Sequence, residues 1–158
     1  MKKIEVSSCL AAATLVAASF FHLPAHAYCF AEAAAAYGVK ERDLRAIAKV
    51  ESALKANAVN ASHFKKTNSR DLGLMQVNSR WVKREPLKSL GYSEASLMEP
   101  CTNVKVGAWI LAGLLRAHSD YWDAIGAYNA ACTQLRGDGC LRARRVYAWK
   151  VYEAMKTL

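Results

Sequence analysis

One carboxylate in this chain sits where an amphipathic helix calls for a hydrophobic side chain. Across residues 40–52, Leu44, Ile47 and Ala48 follow the i, i+3, i+4 spacing of a helix face, and the next position of that stripe, i+7, is Glu51. A carboxyl group on a core-facing stripe loses water, which disfavours its charged form. Glu51 also falls in the last turn of the helix, where the macrodipole is negative and again opposes an anion. Both effects raise the pKa toward that of an acid able to give up a proton near neutral pH. A different helical phase would instead leave Glu51 on a solvated edge.

Three other segments carry side chains suited to a binding groove. They are Asp71–Ser79 (DLGLMQVNS), Ala127–Ala130 (AYNA) and Arg144–Tyr147 (RRVY). Taken singly, each has an ordinary reading. Gly73 marks a turn, Met75 fills a core, and Asp71 serves a loop or cap. Gln76 and Asn78 flank the apolar Val77 and face either a groove or solvent. Tyr128 and Tyr147 are core aromatics whose hydroxyls need partners.

The elements that must position these residues read as helices. The spacing predicts helices over 30–37, stopped by Gly38, and over 40–52. Residues 57–71 form a polar loop with room for a short hairpin. A short helix is expected over 79–89, interrupted near Pro86, and a further turn opens at Ser93. Residues 100–117 are the best-defined helix, with Val104, Gly107, Ala108, Leu111, Leu114 and Leu115 on one broad stripe. Helices over 120–131 and 141–156 complete the set. No long alternating strand pattern appears, so the expected fold is mainly α, with a small irregular or hairpin lobe.

The N-terminus reads as a cleavable signal peptide. Lys2 and Lys3 precede an apolar run over 10–23, and Ala25-His26-Ala27 supplies an A-x-A cleavage site. Cleavage after Ala27 leaves residues 28–158, the size of one domain. No later segment is apolar enough to span a bilayer. Without Lys2, Lys3 and Glu5, the 22 basic and 13 acidic residues become 20 and 12, a net of +8. That charge favours encounter with an anionic polymer or surface without choosing one. There is no arginine-rich run or nucleic-acid motif, so nucleic acid is not an expected partner. No ligand cluster or phosphate-binding loop appears, so neither metal nor cofactor is expected. His63 and His118 lie among polar neighbours and are expected at the surface.

Cleavage also removes Cys9, leaving Cys29, Cys101, Cys132 and Cys140, an even count that reads as two disulfides in an exported chain. Four cysteines allow three pairings. The favoured one joins Cys132 to Cys140 across a short loop and Cys29 to Cys101, tying the N-terminus to a helix start. Each bond is worth about 2–4 kcal/mol.

Taken together, the segments resemble the lysozyme-like lytic transglycosylases, and more closely the small exported members that accompany secretion, conjugation and pilus machines. Cys29-Phe30 with its alanine-rich helix, AIAKVES, GLMQVNS, PCTNVKVGAWIL and GAYNA stand in that family's order over nearly all of residues 28–158. The resemblance implies a lysozyme-like helical domain around a groove for peptidoglycan glycan strands, working in the periplasm as a monomer. It implies that Glu51 is the catalytic acid/base. Ser52, Gly73, Leu74, Met75 and Gln76 would bind substrate along the wall, Tyr128 and Asn129 would line the floor, and Tyr147 would orient the glutamate or the sugar. The same resemblance implies docking on components of a secretion, conjugation or pilus apparatus.

The stretch DLGLMQVNSRW is also similar to the middle of animal-type lysozymes, where the matching aspartate is the second catalytic carboxylate. A retaining hydrolase needs two carboxyl groups about 5–5.5 Å apart, whereas a lytic transglycosylase needs one. The expected activity is the transglycosylase, with Asp71 supporting. The alternatives are a hydrolytic muramidase using Glu51 and Asp71, or a non-catalytic wall-binding adaptor. Two departures from the family pattern stand out. Ala131 replaces a frequent glycine, which predicts altered loop geometry before Cys132. Leu72 stands where some larger relatives carry a serine, so any part that serine plays in holding the glutamate must fall elsewhere.

Overall fold

The computed structural model describes residues 28–132 and 135–158; the expected signal peptide, residues 1–27, lies outside them. The chain runs α1 (Phe30–Tyr37), α2 (Glu41–Ser52), β1 (Val59–Asn60), α3 (Phe64–Thr67), β2 (Asp71–Leu72), β3 (Val77–Asn78), a 3-10 turn (Trp81–Lys83), α4 (Glu94–Met98), α5 (Pro100–Ala117), α6 (Tyr121–Asn129) and α7 (Gly137–Met155). It is mainly helical and lysozyme-like, with one small antiparallel sheet in the order β1-β2-β3. Leu72 pairs with Val59 and Val77, and Asp71 with Asn60 and Asn78. No helix among the described residues is long and apolar enough to cross a membrane.

The helix pattern differs from the sequence reading in three places. A four-residue helix, α3, occupies part of the polar loop. The segment expected to be helical over 79–89 keeps only the 3-10 turn, because successive turns through Pro86 replace helical pairing. The last helix begins at Gly137, four residues early, so Cys140 lies inside its first turns. Cys29 is bonded to Cys101 and Cys132 to Cys140.

α5 is the spine of the core. Val104, Ala108 and Leu111 are fully buried, while Leu114 and Leu115 are only partly so. Close approach shapes the crossing of α6 over α7. A Cβ at Gly126 would lie 2.6 Å from the Arg144 carbonyl oxygen, so only glycine lets these helices meet there. At their other end Tyr121 Oη donates to Asp43 Oδ1 at 2.7 Å, joining α6 to the first turn of α2. Burial raises the pKa of Asp43, a buried carboxyl that the hydrophobic pattern did not flag.

The turn between β2 and β3 hangs on one buried side chain. Asn103 of α5 donates to the Leu72 and Leu97 carbonyls at 2.8 Å each and accepts from Met75 N at 2.8 Å. Gly73 adopts φ 72°, and a Cβ there would overlap the Asn103 amide. Replacing Asn103 with Ala removes three buried hydrogen bonds to the backbone, each worth about 1 kcal/mol, so the unfolding free energy should fall by about 3 kcal/mol. Chemical denaturation of the variant beside the parent chain checks this, and an unchanged midpoint would contradict it.

Candidate active site

Glu51 is carried into the molecule by the apolar face of α2. Leu44, Ile47 and Ala48 are fully buried on that face, and Glu51 follows them in the last turn, half-buried. It opens into a cavity of about 320 Å³. Tyr147, buried on the inner face of α7, donates its hydroxyl proton to Glu51 Oε1 at 2.5 Å. Burial pushes the Glu51 pKa up. The Tyr147 hydrogen bond opposes that shift, the Asp71 charge adds to it, and the Lys150 charge opposes it. Burial and the neighbouring Glu51 charge raise the Tyr147 pKa far above the normal tyrosine range, so this hydroxyl stays a donor.

Across the cavity stands the hairpin. Asp71, Gln76, Val77 and Asn78 line it, with Trp81 just beyond. Asp71 is held firmly. Asn78 Nδ2 donates to its Oδ1 at 2.7 Å, Asn60 Nδ2 donates to Oδ2 at 3.4 Å, and His63 Nε2 lies 3.7 Å from Oδ2. His63 is thus a partly covered neighbour of a carboxylate, not a free surface residue. His118 is likewise half-buried, with Nδ1 2.8 Å from Asp123 Oδ2. Trp81 meets the edge of Trp109 at 5.4 Å, which fixes its ring plane.

α6 supplies the floor through Ala127, Tyr128 and Asn129, and α5 adds Ile110 and Leu114. Tyr128 Oη donates to the Met75 carbonyl at 3.1 Å, tying floor to wall. Burial raises its pKa well above the ordinary value, and the Glu51 and Asp71 charges add to the effect.

The structure thus brings Glu51, Asp71, Gln76, Tyr128 and Asn129 to one cavity, with Tyr147 behind Glu51. It places Ser52, Gly73, Leu74 and Met75 differently. Leu74 and Met75 are fully buried, and their side chains belong to the core. Met75 acts through its backbone, bonded to Asn103 and Tyr128. Ser52 Oγ donates to the Ala48 and Leu74 carbonyls at 3.0 and 2.8 Å, which fastens the end of α2 to the wall. Gln76 turns its amide nitrogen back to the Ala58 and Gly73 carbonyls. Leu72 is a core residue, so Tyr147 is what grips the glutamate. Ala131 lines the cavity, and the positive φ of this loop, 56°, falls one residue later at Cys132.

Sequence reading passed over Ile110 and Asn103, gave Trp81 and Leu114 no place in the site, and left Asn78 between groove and solvent. Asn103 carried the same signal as Glu51, a polar residue among the apolar positions of a helix. Asn78 carried the alternation about Val77. No group of three or more His, Cys, Asp or Glu side chains suited to a metal occurs among the described residues.

A helical lysozyme-like domain with one half-buried, tyrosine-clamped glutamate in an open groove has the form of a glycan-cleaving class of protein. The family described as transglycosylase SLT domain matches residues 28–142. The chain belongs to that family, and its enzyme class is peptidoglycan lytic transglycosylase. It is 39% identical over 135 residues to Invasion protein IagB of Salmonella typhimurium strain SL1344, covering 85% of this chain and 79% of that protein. It is 34% identical over 125 residues to Protein IpgF of Shigella flexneri, covering 78% and 76%. A Peptidoglycan-binding-like protein of Escherichia coli O157:H7 is 32% identical over 127 residues, covering 78% and 74%.

The balance of forces on Glu51 predicts opposite pH shifts. Tyr147→Phe removes a hydrogen bond that favours the carboxylate, so the Glu51 pKa rises further and, with Glu51 as the acid proposed below, the alkaline limb of glycan cleavage moves to higher pH. Asp71→Asn removes a negative charge that favours the acid, so that limb moves to lower pH. Rate profiles of the two variants across neutral pH check both signs, and shifts in the same direction would contradict the assignment.

Proposed function

We propose that this enzyme cleaves the β-1,4 bond between N-acetylmuramic acid and N-acetylglucosamine, with Glu51 as its single acid and base. The carrying observation is a glutamate whose burial favours the protonated form, held by one tyrosine at the edge of an open groove. Glu51 gives its proton to the glycosidic oxygen as the bond to muramyl C1 breaks. The resulting carboxylate takes the proton of the muramyl C6 hydroxyl, whose oxygen closes on C1. The product is a 1,6-anhydro sugar, and no water is consumed. The acetamido group of the sugar shares the positive charge that develops at C1.

In this reading Asp71 is an electrostatic partner. Both of its oxygens accept hydrogen bonds from hairpin amides, an arrangement that suits a fixed negative charge better than a nucleophile. Tyr147 positions Glu51, while Gln76, Tyr128 and Asn129 bind the strand. Gly73, Leu74 and Met75 support that wall through the backbone, and Ser52 does so through its hydroxyl. The net positive charge of the chain suits an anionic wall.

We further propose periplasmic action by a monomer, after removal of residues 1–27, with local opening of the wall for a secretion, conjugation or pilus apparatus. The likeness to a protein named for invasion supports this service. The muramidase reading draws on one observation, the presence of Asp71 in the same cavity as Glu51.

The test is mass spectrometry of soluble products from purified peptidoglycan, with Glu51→Gln alongside. The expected products are one water lighter than reducing muropeptides, and Glu51→Gln should lower the rate by at least about 10²-fold. Reducing ends, with Asp71→Asn as damaging as Glu51→Gln, would make the protein a muramidase. No release from either protein, with wall binding retained, would make it an adaptor.

A further inference from the structure

The outer side of α7 carries a second concave surface that shares no lining residue with the groove. It is a depression of about 440 Å³ between α6 and α7, lined by Trp122, Arg145, Ala148, Trp149, Tyr152 and Lys156. Residues two apart on a helix point roughly 200° apart. Tyr147 turns inward to Glu51, so Trp149 faces the opposite way. Trp149 is 62% exposed, and Trp122 and Tyr152 are each 39% exposed. A cluster of large aromatics left in water marks a surface that binds something.

These rings are ordered as a platform. Tyr152 meets Trp122 edge to face at 5.7 Å and lies 5.4 Å from Trp149 with 37° between the planes. Lys156 Nζ sits 4.5 Å from the Tyr152 centroid and 5.6 Å from that of Trp149. Buried Ala148 is the small floor that keeps the depression open. Arg145 and Lys156 are its two cations, no acidic side chain lines it, and Lys156 Nζ is held from outside by Glu153 Oε1 at 2.7 Å, which leaves Arg145, among the described residues, as the unpaired charge at the rim.

We infer that this depression holds a second stretch of peptidoglycan glycan, away from the groove. The inference rests on the proposed substrate. A β-linked pyranose presents a face of C–H bonds that packs on an aromatic ring, and a rim of hydroxyls that hydrogen-bonds to cations. The lactyl and stem-peptide carboxylates of the same polymer complement Arg145. A membrane surface is the competing occupant, since α7 also projects Val146 and Trp149 into water, but the hollow over Ala148 suits a sugar ring better than a flat interface. A contact on the far side of α7 leaves the groove free to cut. It keeps the enzyme on an insoluble wall and raises the local concentration of strands at Glu51.

The test reads binding without cutting. The chain carrying Glu51→Gln is pelleted with purified sacculi, alone and combined with Trp149→Ala and Tyr152→Ala, or with Arg145→Glu as a second, milder variant. The expected result for both is an apparent Kd for sacculi raised by about 5-fold or more, the loss of a second linked contact, with unchanged thermal unfolding. In the chain that keeps Glu51, the same substitutions should leave release from short soluble glycan fragments unchanged. Unaltered pelleting overturns the inference. So does weakened binding to phosphatidylglycerol vesicles with sacculus binding intact, which would assign the surface to a membrane. Because binding is read on the Glu51→Gln chain, absence of glycan release by the unsubstituted protein counts against the proposed reaction alone.

Discussion

The hydrogen bond from Tyr147 to Glu51 is the contact on which the arrangement of this molecule turns. It joins α2 to α7, residues almost a hundred positions apart, where the Glu51 carboxyl group leaves water at the edge of the groove. An unpartnered buried carboxylate would be costly, and a salt-bridged one would be locked in its charged form. A neutral tyrosine avoids both outcomes. It satisfies one oxygen without a full opposing charge, and its own raised pKa keeps it a donor. The close crossing of α6 over α7 at Gly126 belongs to the same arrangement, because it seats α7 where Tyr147 reaches inward.

Opposite the glutamate, a hairpin with two-residue strands is too small to hold its own shape. Its rigidity comes from outside. From α5, Asn103 pins two of the hairpin's backbone groups and one of α4, Ser52 ties the turn to the end of α2, and Tyr128 ties it to α6. The helices that carry the acid, the floor and the spine therefore also hold the wall. The distance across the groove is set by helix packing and not by the loop itself.

This division explains what could be read from the sequence. Glu51 was legible because α2 is twelve residues of clean helical period, and a charge on its apolar stripe stands out. The same period marks α5. The sheet was not legible as strands, since two residues cannot show alternation. Leu74 and Met75 were placed on the groove by resemblance, yet a motif does not say whether side chain or backbone faces the ligand. Here the side chains fill the core beneath the turn. The start of α7 was obscured by Gly137 and Gly139, which weaken a helix locally, while the disulfide from Cys132 to Cys140 sits across that first turn. Asp43 was missed because its position in the first turn reads as an ordinary acidic helix start, and only the tertiary contact with Tyr121 reveals it as buried.

A group that first gives and then takes a proton faces a conflict that this site resolves by opposing forces. Burial alone would hold Glu51 as an acid and make the intermediate carboxylate too unstable to form readily. Hydrogen bonding and cations alone would hold it as a base from the start. Burial is the largest influence here, and the Tyr147 hydroxyl is the next, with opposite sign. Asp71 and Lys150 then pull in opposite directions with smaller effect. In the proposed reaction, that opposition lets one side chain serve both steps with no second catalytic carboxylate. It also gives the hairpin a chemical purpose. By fixing Asp71 through Asn78 and Asn60, it holds a constant negative charge beside the acid while the proton moves out and back.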